Sequence, residues 1–71
     1  MYNLMFFHTD NHKPTILAEY GSRERAQQEL RRTERVLRQQ VKSCSFVVSS
    51  ERVELRFRLG GGCAYYIEKA A

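Results

Sequence analysis

The chain has 71 residues, of which 42% are hydrophobic and 28% are charged, and its formal net charge at pH 7 is +4. A chain of this length forms one domain, over residues 1–71, and this composition excludes an extensively disordered protein. No apolar run approaches the roughly 18 residues that a transmembrane helix needs, and two cysteines are too few for a disulfide framework. A cytoplasmic setting without a membrane partner is therefore expected.

The first twenty residues predict a β-hairpin. Residues 3–8 are rich in aromatic side chains and favour a strand, and residues 15–20 favour a second strand. Residues 9–14 between them gather turn formers and end at Pro14, which has no N–H to donate to a strand ladder.

A long helix is predicted over residues 23–42, with Ser22 as its N-cap. The run contains neither Gly nor Pro and is rich in good helix formers. Apolar side chains at helical spacing are expected to face the sheet, namely Ala26, Leu30, Val36, Leu37 and Val41. A helix of about 20 residues is about 30 Å long, whereas a six-residue strand spans about 20 Å. The helix should therefore cross the sheet obliquely or overhang it.

The last third of the chain predicts three consecutive antiparallel strands. Residues 52–59 alternate strictly between apolar and charged side chains, which is typical of a strand with one face in the core. A tight turn at residues 50–51 pairs Val48 with Val53, and a loop of three glycines pairs Leu59 with Cys63. The predicted fold class is α+β, with one five-stranded antiparallel sheet, one long helix packed on one face, and the order β-β-α-β-β-β. The first hairpin is expected to dock through strand 3–8.

The predicted helix carries the net charge of the chain. Residues 23–42 contain seven cations and three acids, whereas the other charges cancel. Four of the cations fall within a sector of about 60°, almost opposite the predicted apolar stripe, and two glutamines flank them. We call these four the basic ridge: Arg31, Arg35, Arg38 and Lys42, with Gln28 and Gln39 beside them. Because Arg binds phosphate oxygens bidentately and Gln can read an adenine edge, the ridge suits a nucleic-acid backbone. A solvated outer face of the helix is the competing interpretation.

The sheet face away from the helix is the second candidate surface. Strand alternation directs Arg56, Arg58 and Tyr66 to this face, and Arg56 is expected directly across from Tyr66 as a cation–π pair. The first hairpin is apolar on both faces, so one set of its side chains stays uncovered. That set is either Met5, Phe7 and Leu17 or their neighbours. An apolar patch beside arginines predicts an interface with a partner protein or a second copy. Base stacking on Tyr66 and Phe7 is a weaker alternative, because no RRM signature is present.

No catalytic, cofactor or metal site is predicted. His8, Asp10 and His12 offer three donors in a turn, whereas a closed zinc site needs four. Cys44 and Cys63 point inward on strands separated by the middle one, so their Cα atoms should lie about 9–10 Å apart, too far for a disulfide. The three glycines precede a strand and no GK[ST] follows them, which excludes a P-loop.

These patterns together predict a non-enzymatic interaction module that binds a partner protein with an acidic surface. The basic ridge would steer association, and the sheet face would supply contact area. Small stand-alone binders are common among inhibitors of the phage and mobile-element type, so an inhibitor or regulator fits the size of the chain. Binding of nucleic acid through the helix is the alternative function.

Overall fold

The computed structural model describes residues 1–70 and places a helix on one face of an antiparallel sheet. The elements are β1 (Tyr2–His8), β2 (Thr15–Tyr20), α1 (Arg23–Gln40), β3 (Cys44–Val48), β4 (Val53–Arg58) and β5 (Gly62–Lys69). The five strands lie in the order β2-β1-β5-β4-β3. The predicted α+β class and element order are confirmed. The first hairpin docks through β1, as expected, and this contact makes β5 the central strand.

Helix α1 begins where the sequence predicts and ends two residues early, at Gln40 instead of residue 42. The Ser22 hydroxyl oxygen accepts a hydrogen bond from the Arg25 backbone N–H at 3.2 Å, which caps the first turn. Val41 then turns to extended backbone, while its N–H still donates to the Leu37 carbonyl at 2.8 Å. The helix contacts all five strands, so it crosses the sheet obliquely, as its length predicts.

The apolar stripe of α1 is narrower than predicted. Ala26, Leu30 and Leu37 are buried, whereas Val36 is 55% exposed. At about 100° per residue, Val36 lies about 120° from Leu30 around the helix, while Ala26 and Leu37 lie within about 40° of it. Including Val36 in the stripe was therefore wrong, and its omission moves the centre of the stripe toward the basic ridge.

The core lies between α1 and the sheet. Leu30 and Leu55 are fully buried there, and Tyr65 contacts the rings of Phe6 and Phe57 with centroids 5.0 and 5.6 Å away. The two free cysteines also face this layer. Cys44 and Cys63 are both register partners of Phe57, one on each side, so a strand separates them as predicted.

The register between β4 and β5 differs from the predicted one by two residues. Arg58 pairs with Gly62 and Phe57 with Cys63, so the loop comprises residues 59–61 instead of 60–62. Gly60 and Gly61 have φ angles of 67° and 131°, which favour glycine, and these two positions therefore define the turn. An even shift preserves which side chains face inward. It also moves Leu59 out of the sheet into an exposed loop position.

A β-bulge interrupts the register between β1 and β2 in the first hairpin. Leu4 pairs with Ala18 but Met5 pairs with Ile16, so Leu17 is an extra residue in β2. A bulge of this kind reverses the alternation of side chains along the bulged strand. The β3–β4 register, in contrast, is continuous and agrees with the prediction.

Truncation of Leu30 tests the corrected stripe. Leu30→Ala should lower the free energy of unfolding by about 2–5 kcal/mol, because it leaves a cavity in the single core layer. The matched change Val36→Ala should alter it by only about 0.5 kcal/mol, because Val36 is exposed. Urea denaturation followed by circular dichroism measures both values, and similar losses in the two variants would contradict the assignment.

Candidate interaction surfaces

The sheet face opposite α1, called the open face below, is not covered by any element of residues 1–70. It contains a shallow depression of about 890 Å³. Phe7, Ala64 and Arg56 are register neighbours across three strands and form one row of this surface. Because Ala64 and Gly62 are small, they form a low floor between taller side chains. Those taller side chains include Phe7, Tyr66, Arg56 and Arg58.

A buried carboxylate organises the charged half of the open face. Glu54 is only 7% exposed, and its two oxygens bind the guanidinium groups of Arg52, at 3.3 Å, and Arg56. Glu54 and Arg56 alternate along β4, and Arg52 comes two residues before Glu54, just ahead of the strand, so the three side chains share a face. A buried carboxylate is stable only when it is paired, so the two arginines hold Glu54 and Glu54 in turn orients them.

The expected pair of Arg56 and Tyr66 does not form. The register places Arg56 opposite Ala64 and Tyr66 opposite Glu54, as a result of the two-residue shift. Arg56 binds Glu54 along its own strand instead of stacking on the phenol ring. Both residues still line the depression, so the structure brings them to one surface without direct pairing.

Charge is distributed unevenly along the open face. Arg56 and Arg58 lie at the end of the strands near the β4–β5 turn, and Arg58 has no ion pair within residues 1–70. At the other end, Asn3 pairs in register with Glu19 on one side and Glu68 on the other. An acidic region of a partner would therefore be attracted to the Arg58 end and repelled from the Asn3 end.

The apolar residues predicted for this surface differ in accessibility. Phe7 is half-buried in the depression and Leu17 is exposed at the bulge, whereas Met5 is only 6% exposed. Met5 lies between Ile16 and Tyr66 in the register and is therefore unable to supply much contact area. Ile16 is exposed and takes its place at the surface. The sequence pattern misses Ile16 because the bulge, which depends on tertiary pairing, changes the alternation of β2.

The basic ridge lies on the flank of α1 instead of opposite the core. The guanidinium carbon of Arg31 is 5.2 Å from the centroid of the Phe46 ring, so this side of the helix faces the edge strand β3. Arg38 donates two hydrogen bonds to one carboxylate oxygen of Glu34, at 3.1 and 2.7 Å, and this bonding raises the pKa of Arg38. Arg35 is exposed, and so is Lys42, which lies beyond the end of α1 instead of on the helix as predicted; neither has an ion pair among residues 1–70. Gln28 and Gln39 are also exposed.

The two candidate surfaces do not merge into one. The depression is lined by residues of the strands and their connections, and no residue of α1 contributes to it. The basic ridge lies on the other side of the sheet. Strand β3 adjoins both surfaces, since Ser45 lines the depression while Phe46 contacts Arg31.

The first turn contains a local hydrogen bond at His8. The Nδ1 atom of His8 accepts a hydrogen bond from the Asp10 backbone N–H at 3.0 Å. His12 is exposed at the far side of the turn. Within residues 1–70, no cluster of three or more His, Cys, Asp or Glu side chains is placed to hold a metal ion.

Comparison of the chain with models of known protein families, with curated proteins and with solved structures found no match. The part of the chain that the structure describes contains no helix long and apolar enough to cross a membrane.

The titration of Tyr66 tests the electrostatics of the open face. Burial raises the pKa of Tyr66, and Glu68 and Glu54 raise it further. Because the raised pKa favours the protonated phenol in the folded state, this contribution to stability is complete below about pH 10 and is lost as the pH rises through the folded pKa. We expect the difference in phenolate absorption between wild type and Tyr66→Phe to titrate with a midpoint above the ordinary tyrosine pKa. Glu54→Gln should move it back down, and an unchanged midpoint in that variant would contradict the coupling.

Proposed function

We propose that this chain is a non-enzymatic binding module that docks its open face on a partner protein. The observation that carries the proposal is the uncovered depression, in which Phe7 and Tyr66 stand beside Arg56 and Arg58. Aromatic residues and arginine are enriched among the few side chains that supply most of the binding energy at interfaces. An aromatic and arginine-lined hollow on a rigid sheet therefore supports protein recognition.

The open face favours a partner of particular chemistry. The floor at Ala64 leaves room for an apolar side chain between Phe7 and the arginines. Glu54 partly neutralises Arg52 and Arg56, whereas Arg58 has no ion pair within residues 1–70 and keeps its full charge. We propose that the partner inserts an apolar residue over Ala64 and presents a carboxylate to Arg58.

In this proposal, the basic ridge supplies a long-range electrostatic field that attracts an acidic partner. The net charge of +4 is concentrated on the helix side of the molecule. Clustered charge of one sign accelerates the encounter with an acidic partner, and salt weakens the effect because the Debye length falls to about 8 Å at physiological ionic strength. An inhibitor or regulator acting in the cytoplasm would work in this way, by occupying a surface of its target.

Photo-crosslinking tests the open face directly. Tyr66 and, as the matched control, the exposed helix residue Gln39 would each be replaced by p-benzoylphenylalanine in the full chain. Irradiation in host cells should give a covalent adduct with a partner protein from position 66 and little from position 39. Arg58→Glu in the same chain should lower the adduct yield about tenfold, because it reverses the charge that faces the partner.

Three results of that experiment would count against the proposal or redirect it. Equal yields from positions 66 and 39 would show that the open face has no preference, and adducts from position 39 alone would move the interface to the helix. An adduct of twice the monomer mass would identify a second copy as the partner and establish a homodimer.

Binding of nucleic acid through the basic ridge stays the alternative prediction. Two of its four cations are already engaged, Arg31 with the Phe46 ring and Arg38 with Glu34. We therefore expect random DNA and RNA, duplex or single-stranded, to bind weakly at about 50 mM salt by fluorescence anisotropy. Tight binding that falls steeply by about 200 mM, and falls again when Arg31, Arg35 and Arg38 are changed to Ala, would support nucleic acid instead.

A further inference from the structure

Strand β3 has an unpaired outer edge. It lies at one end of the strand order and pairs only with β4. The Ser49 N–H donates to the Arg52 carbonyl at 2.8 Å, and bonded and non-bonded pairs alternate from there along an antiparallel ladder. Every second residue of β3 therefore directs its backbone N–H and C=O away from β4. These residues are Cys44, Phe46 and Val48, and their outward groups have no hydrogen-bond partner within residues 1–70.

This edge lacks the features that usually prevent strands from pairing with other chains. Edge strands are commonly blocked by a bulge, a charged side chain or a proline. The opposite edge strand, β2, has a bulge at Leu17 and carries Glu19. In contrast, β3 reads CSFVV, without charge or proline, and its register is continuous. Val48 is 45% exposed.

The basic ridge runs alongside this edge. At the start of α1, the Arg23 guanidinium donates to the Ser50 carbonyl at 3.0 Å, just beyond the end of β3. Arg31 lies over Phe46 in the middle of β3. The end of α1 then leads through residues 41–43 to Cys44, where β3 begins. These three points show that α1 crosses the sheet in the direction opposite to β3, and that the ridge faces the side of the open edge where Arg31 contacts Phe46.

We infer that the outer edge of β3 accepts an extended acidic segment of a partner protein as a sixth strand. The outward backbone groups would form the ladder, and carboxylates on alternate residues of the segment would face the basic ridge. Alternate residues of a strand are about 6.6–6.8 Å apart, and ridge residues three or four positions apart are separated by about 4.5–6 Å along the helix axis. The two spacings are close enough for successive carboxylates to meet successive cations.

Charge excludes a second copy as the preferred occupant of this edge. Antiparallel pairing of two β3 strands would place both helices on one side of the joint sheet, with their basic ridges facing each other. Arg35 and Lys42 have no compensating acid within residues 1–70, so the two ridges would repel. An acidic segment, in contrast, is attracted by the same groups. This inference concerns a surface separate from the depression and fails or holds independently of the proposed function.

Amide hydrogen exchange on the full chain tests the inference with a defined probe. The probe is an acetylated, amidated heptapeptide of alternating Glu and Val, and the control replaces each Glu by Lys. The Glu peptide should slow exchange at the Cys44, Phe46 and Val48 amides about tenfold or more, because each outward N–H gains an acceptor, whereas the Lys peptide should slow none of them. Unchanged exchange at these three amides with millimolar Glu peptide would overturn the inference.

Two pairs of variants separate backbone pairing from charge attraction, with peptide affinity measured by fluorescence anisotropy. Val48→Pro removes an outward N–H without breaking the β3–β4 ladder and should weaken peptide binding about tenfold, whereas Val48→Ala keeps the N–H and should change it less than about twofold. Arg35→Gln should weaken binding about threefold at low salt and less at high salt. Arg32→Gln changes the net charge equally but lies away from the edge, so it should have no effect.

Each remaining outcome also decides the question. Equal affinity in Val48→Pro and wild type would reduce the contact to charge attraction and overturn strand addition. Protection of the three amides that rises with protein concentration, without peptide, would identify a second copy instead. Duplex DNA that displaces the peptide and binds more tightly would assign the ridge to nucleic acid. If the peptide slowed amide exchange only at Phe7, Ala64 and Tyr66, the inference would be overturned and the open-face proposal would stay intact.

Discussion

One helix can cover only one face of a five-stranded sheet, and the rest of this molecule follows from that constraint. Burial of Leu30 against Leu55 and its neighbours fixes α1 on one face, and residues 1–70 contain no further element for the other face. A small domain gains its stability from a single core layer, so the side chains on its other surfaces are not needed to form the core. The open face and the edge of β3 are both consequences of this two-layer arrangement.

The open face is kept ordered by electrostatics as well as by packing. Glu54 draws Arg52 and Arg56 together and is itself nearly buried, so the charged half of the face has a defined geometry. Side chains that are already held in place lose less conformational entropy when a partner binds. Arg58 lies outside this cluster and has no ion pair within residues 1–70. Phe7 and Tyr66 supply the apolar area next to it.

One side-chain contact sets the position of the basic ridge relative to the edge of β3. The contact of Arg31 with Phe46 holds the basic ridge beside an edge strand whose backbone groups are unpaired. The Phe46 ring engages Arg31 and Glu34 engages Arg38, although both arginines stay exposed to solvent. The ridge is therefore divided between two cations with an intramolecular contact, Arg31 and Arg38, and two without an ion pair within residues 1–70, Arg35 and Lys42. This division is the reason why we propose an extended acidic segment, and not a phosphate backbone, as the ligand of the ridge.

Local patterns in the sequence determined the elements and their inward faces. Strict alternation over residues 52–59, the turn at residues 50–51 and the run without Gly or Pro after Ser22 each express a short-range preference, and all of them are confirmed. Alternation has a period of two, so the side chains that face the core were predicted correctly even where the β4–β5 register was not. Among residues 52–59, Leu59 was the exception, because glycine conformations at residues 60 and 61 place it in the loop.

Tertiary structure alone decided the details of the candidate surfaces. The bulge at Leu17, the burial of Met5 and the pairing of Glu54 with two arginines depend on which strands become neighbours, and no short-range preference specifies that. The direction of the basic ridge depends on how α1 is rotated over the sheet, and packing of Leu30 and Leu37 sets that rotation. The sequence by itself determined a two-layer protein with a charged helix and an apolar hairpin. Contacts between distant residues decided which of those side chains remain available to a partner.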